Sequence, residues 1–209
     1  MSKQRIEAFS DGVFAVAITL LVLNFKVTGI DRSDLRNQIL GQWPHLLSYV
    51  LSFVIVGVYW VAHHTLFHFV KKTNRALLWL NNFFLMTIVF LPFPAGLLGE
   101  YPGSELSILL YGSTLIAANT SATLMWVYAS RAALVDPRTP QEFRRLSAYI
   151  TFAPALVYAL AMAISFLNRV IALLLFAAVP LFFIVPHRLV EGRVAKTLEA
   201  MKENREGEF

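Results

Sequence analysis

Hydrophobic residues along this chain run in long unbroken blocks, and the charged residues fall between them. The blocks cover residues 12–25, 37–70, 76–99, 106–130, 146–168 and 170–187. A helix needs about 20 mostly apolar residues to cross a bilayer, and all six blocks meet that length if the first begins near Ile6. The blocks do not alternate, and they exceed the roughly 9–11 residues of a barrel strand, so strands are disfavoured. The pattern predicts an all-α integral membrane protein with helices over about 6–25, 43–70, 76–99, 105–130, 143–168 and 170–188. Residues 1–190 then form one transmembrane domain. Residues 191–209 form a charged, solvated tail. The loops are too short for a second domain, and no repeat of 20 to 50 residues is evident.

Composition agrees with this reading. Hydrophobic residues make up 57% and charged residues only 15%. Soluble domains are about a quarter charged. The net charge of +5 therefore has to be read loop by loop. Of the 18 Lys and Arg, 14 fall at the N-terminus, in the second and fourth loops, and in the tail. The remaining four are Lys26, Arg32, Arg36 and Arg169. Positive charge stays cytoplasmic, which places both termini inside. No basic patch with interleaved aromatics lies outside the spans, so no nucleic-acid partner is expected. Cysteine is absent, which excludes disulfides and thiolate sites. Glu7 and Asp11 sit where a secretory signal is normally basic, and no small-residue cleavage site follows, so the first span reads as a retained helix.

Asp11 is the first candidate for chemistry, because helix one reaches spanning length only if this carboxylate lies inside it. Ionisable groups at such positions pair and face protein. Arg5 and His63 are its candidate partners, in a packing network or, as the second reading, a proton relay. In the stretch YWVAHHTLFH, His64 and His68 are one turn apart, but a third metal ligand is not apparent. No nucleophile motif, phosphate loop or paired acid couple marks an enzyme. Asn119 opens a glycosylation sequon that lies mid-span and out of reach. The small, polar run GSTLIAANTSAT from Gly112 suits close helix approach. Pro92, Pro94 and Pro180 should kink or end helices. On helix one, residues turn by about 100° each, so Val16, Thr19, Leu20 and Leu23 share a face and Asp11 points well away from it. The helix has two sides, one able to dock and one free to meet something else.

The segment RIEAFSDGVFAVAITLLVL, with Arg5 and Phe9-Ser10-Asp11, resembles the RxxxFSD signature of the lysosomal potassium channel family, in its bacterial branch. The likeness continues through YWVAHH with Trp60 and His63, WLNN with Asn81, and FLPF around Pro92. It covers the first half well and the later helices in general character. The resemblance implies a potassium-selective cation channel without the TVGYG filter, which this sequence lacks. It implies a homotetramer in the inner membrane of a prokaryote, with helix one around a central pore. Carried over by position, Val16, Leu20 and Leu23 line the pore with Thr19 beside Val16, so that potassium permeates near Val16 and Thr19. Val16 is smaller than the isoleucine or leucine common at its position. Arg5, Phe9, Ser10, Asp11, Trp60, His63 and Asn81 become a structural network. No cofactor, bound metal or protein partner other than itself and lipid is implied. A proton-coupled transporter using Asp11 and His63 is the alternative. The topology has a direct check: a reporter fused after Phe209 should stay cytoplasmic, and a glycosylated or periplasm-active fusion would reverse the assignment.

Overall fold

The structure is a computed structural model that describes residues 2–25 and 35–184. Its first helix, α1 (Lys3–Leu20), is prolonged by a 3-10 turn, Leu21–Asn24. There follow α2 (Leu35–Gly41), α3 (Trp43–Phe69), α4 (Arg75–Phe90), α5 (Pro92–Glu100), α6 (Glu105–Arg131), α7 (Gln141–Ser165) and α8 (Arg169–Ile184). Five helical stretches are long and apolar enough to cross a membrane: Lys3–Asn24, Trp43–Phe69, Arg75–Glu100, Glu105–Arg131 and Gln141–Ser165. The sixth expected span appears as α8, with 16 described residues. The charged tail lies outside the described residues.

Proline marks two helix starts: that of α3, where the sequence reading put it, and that of α5, which divides an expected single span. The apolar block 37–70 is divided, because α2 stops at Gly41 and α3 starts afresh with Pro44 in its first turn. A missing N–H costs nothing there, since the first-turn donors have no helical partner. The span 76–99 is likewise two helices joined at Leu91, with Pro92 opening α5. Pro180 does not end its helix: it lies inside α8, as Pro154 lies inside α7. Both rings are buried. One lost backbone bond is tolerated where neighbouring helices enclose the site.

The centre of the bundle is α6, over half of whose most apolar stretch is buried. It packs on α4, α5, α7 and α8. Its small residues explain this. A Cβ built on Gly112 would stand 2.6 Å from Met162 of α7 and 3.1 Å from Phe176 of α8, so any larger residue would displace those side chains. Two buried polar side chains on α6 are paired with α3, and others bond to the helix's own carbonyls, as the lipid interior demands. Tyr111 shares a 3.0 Å hydrogen bond with Ser52, and Asn119 donates to the Tyr59 hydroxyl at 2.6 Å. The sequon asparagine is thus a core residue, 4% exposed.

At one end of the bundle two loops are clasped together. Val70 and Val135 form a bridge pair, flanked by Lys71 N–H to Leu134 O at 2.8 Å and Asp136 N–H to Phe69 O at 2.9 Å. Burial alone would raise the Asp136 carboxyl, but hydrogen bonds from the Arg138 backbone and guanidinium, with Lys71 nearby, outweigh it and hold the group below its usual range. The loop leaves α6 through Ala133, whose φ of 53° is left-handed, and Leu134 N–H returns to Ala129 O at 3.0 Å. This is the backbone closure that usually places glycine at such a position. A left-handed alanine costs roughly 1–2 kcal/mol relative to the ordinary helical region. Ala133→Gly should therefore raise the unfolding temperature of the purified protein, by a stability gain of about 0.5–1 kcal/mol once the freer unfolded chain is counted. A lowered melting temperature would contradict the assigned backbone.

Candidate functional site

Helix α1 stands at the edge of the bundle, packed on α4 and α3. Ile6, Ser10, Phe14, Ala17 and Leu21 are its buried residues, and they recur at the spacing of one helix face. The far face is open. Val16 is 53% exposed, Leu20 36% and Leu23 67%, and Thr19 lies exposed among them. These four are the residues that the sequence pattern sets on one stripe. Thr19 donates its hydroxyl proton to the Val16 carbonyl at 2.9 Å. Its oxygen lone pairs are left for whatever lies beside the helix.

Ser10 anchors the buried face. Its hydroxyl donates to Ile6 O at 2.9 Å and accepts from Asn81 Nδ2 at 3.1 Å. Asn81 Oδ1 in turn meets His63 Nε2 at 2.8 Å. The directions are forced from one end. The serine proton goes to a carbonyl, so the asparagine amide must donate to serine, and its oxygen must accept from histidine. His63 therefore carries its proton on Nε2. The chain ties α3, α4 and α1 together, and all three side chains are buried. Aromatic rings close around the histidine: Phe84 is stacked at 5.8 Å between centroids, Phe67 lies at 4.6 Å and Phe14 meets it edge-on at 5.7 Å.

Asp11 belongs to a separate contact. Its partner is neither Arg5 nor His63: the Trp60 indole donates to Asp11 Oδ1 at 2.9 Å. Asp11 and Trp60 are both exposed in the single chain, as are Arg5 and Phe9. The seven residues set together by the sequence thus form one buried chain of three and one exposed pair. Arg5 and Phe9 share neither hydrogen-bonded group. His64 and His68 are exposed on α3, and among the described residues no cluster of three or more His, Cys, Asp or Glu could hold a metal.

A third tie was not evident in the sequence. At the other end of α1, Asn24 Nδ2 donates to Pro92 O at 3.0 Å. A Cβ on Gly96 would stand 2.5 Å from the same side chain, so the glycine makes room for it. The signals were an asparagine closing an apolar run and a glycine one turn after a proline. Neither pattern is specific on its own.

A sequence model of the family described as endosomal/lysosomal potassium channel TMEM175 matches residues 5–92, the portion that holds nearly all of α1, the whole of α3 and α4, and every hydrogen bond of this site. A potassium channel of Streptomyces collinus is 34% identical over 185 residues, which cover 86% of this chain and 90% of that one. This chain belongs to the TMEM175 family. The crystal structure of a homologue of the lysosomal potassium-selective channel TMEM175, from Chamaesiphon minutus, superposes with a TM-score of 0.77 at 31% identity. It covers 88% of this chain and 96% of that one. Human TMEM175, named an endosomal/lysosomal proton channel, is 34% identical over 142 residues, 62% of this chain and 28% of its own length. In this TMEM175 chain, the two polar contacts of α1 should differ in what they hold. Asn81→Leu leaves Ser10 and His63 without their buried partner, and each such loss costs about 1–3 kcal/mol. It should lower the melting temperature of the subunit itself. Asp11→Ala and Trp60→Phe break an exposed contact, so they should lower it less and show mutual coupling in a double-mutant cycle. Equal destabilisation by all three, without coupling, would refute the division.

Proposed function

We propose that this protein is a potassium-selective cation channel of a prokaryotic inner membrane, a homotetramer whose pore is lined by α1. The observation that carries the reading is the two-sided character of α1. One stripe is anchored by hydrogen bonds and rings, and the opposite stripe of Val16, Thr19, Leu20 and Leu23 stands exposed on the single chain. One helix cannot enclose a path, so the free stripe calls for further copies around an axis. Rings of aliphatic side chains gate by excluding water, and oxygen dipoles compensate an ion that has shed part of its shell. Thr19 supplies those oxygens, since its proton is committed to Val16 O. The bacterial relatives named as potassium channels, and the likeness to the Chamaesiphon channel structure, support potassium as the permeant ion. Both termini are read as cytoplasmic, from the Lys and Arg distribution.

A proton-coupled transporter would need Asp11 and His63 to exchange a proton. Each is instead bonded to a group that does not titrate near neutrality, the Trp60 indole and the Asn81 amide. The arrangement favours packing over relay.

Ion flux into liposomes should follow voltage and gradient with no coupled ion. Leu23→Ala, repeated around the axis, should widen and wet the constriction and raise unitary current severalfold. Thr19→Val keeps the shape and removes the ring of hydroxyls, so the bi-ionic reversal potential should move toward equal potassium and sodium permeability with folding intact. Ile18, half-buried beside the stripe, is the control. If Ile18→Ala changes permeation while the Thr19 and Leu23 variants do not, α1 does not line the path in this register.

A further inference from the structure

Between α6, α7 and the loop that joins them lies a cavity of about 840 Å³, away from α1 and lined by Arg131, Arg138, Arg144 and Arg145 together with Ser130 and Thr139. Four guanidinium groups in one cavity need an account. Arg144 is fixed by the loop: its Nε donates to Thr139 O at 3.0 Å and its Nη2 to Asp136 O at 2.9 Å. Arg138 reaches Asp136 Oδ1 at 3.3 Å through Nε. Arg131 and Arg145 have no ion-pair partner among the described residues. Asp136, the buried acid of this region, is shared by Arg138 and Lys71 and does not line the cavity.

Two further features point the same way. Thr139 is 3% exposed, and its hydroxyl, like that of Ser130, is buried with no hydrogen-bond partner. Buried hydroxyls are otherwise paired. In addition α7 begins at this cavity with Pro140 as its cap residue and no side-chain cap, so its first-turn N–H groups lack a side-chain acceptor. Glu142 offsets part of the helix field, but it stands outside the lining. Planar guanidinium forks, hydroxyl donors and a helix N-terminus together make a site for a tetrahedral oxyanion.

We propose that this cavity binds a phosphate-bearing anion, either the headgroup of an anionic lipid or free phosphate. The inference is independent of the channel reading, because its test reads binding and not current. The probes are inorganic phosphate and phosphatidylglycerol in mixed micelles, with phosphatidylcholine as reference, titrated into the purified full-length protein and followed by thermal shift and native mass spectrometry. At least one anionic probe should bind saturably. Arg131→Gln with Arg145→Gln, at two exposed positions, should weaken that binding by about tenfold or more. Thr139→Val should weaken it severalfold while leaving net charge unchanged. Arg75→Gln, a cation outside the cavity, should leave it unaltered. Phosphatidylglycerol binding that free phosphate does not displace identifies a lipid headgroup. Free phosphate binding with the same dependence on these variants identifies a soluble ligand. No saturable binding of either probe overturns the proposal. So does equal weakening by Arg75→Gln and the double variant, which would mean diffuse attraction to a basic surface.

Discussion

A bilayer offers no water to a polar side chain, and that constraint organises the packing of this protein. Ser10, Asn81 and His63 could not be buried singly. Buried as a chain ending on a backbone carbonyl, each is satisfied, and three helices acquire one mutual orientation. Apolar contacts alone would let α1 rotate or slide against α4, because lipid tails offer it much the same surroundings as protein. The polar chain fixes the rotation. Once that is fixed, the face carrying Val16, Thr19, Leu20 and Leu23 has to look away from its own bundle.

The core follows the same rule on a larger scale. Tyr111 and Asn119 on α6 are matched to partners on α3, and the missing side chain at Gly112 lets α7 and α8 close in. The two faces of the molecule are thus made by different means. The interior is held by directed polar contacts among small residues, and the outer surface remains broadly aliphatic and aromatic, with Phe9, Leu23 and Trp60 among its exposed side chains.

Much of this was legible in the sequence. Continuous apolar blocks with charged boundaries are a strong signal for long helices, and the period of α1 separated its two faces without any structure. The family resemblance brought Ser10, Asn81 and His63 together, although they lie far apart along the chain. What could not be read was who bonds with whom. Charge suggested Arg5 or His63 for Asp11, but a carboxylate accepts as readily from an indole, and only the relative rotation of α1 and α3 decides in favour of Trp60. The division of the span at 76–99 was hidden because hydropathy averages over a break that Pro92 marks only locally. The arginine cavity was hidden for another reason. Charge counting treats a loop as a total, while the site depends on where the loop backbone turns.

The clasp between Val70 and Val135 bears on biogenesis. Its two loops flank α4, α5 and α6 along the chain, so the bridge cannot close until all of that intervening chain has been synthesised. A contact between such distant residues is necessarily late, since chains emerge N-terminus first. Until then the backbone groups of both loops are served by water. Closing the clasp therefore joins a segment made early in synthesis to one made after α6 is complete.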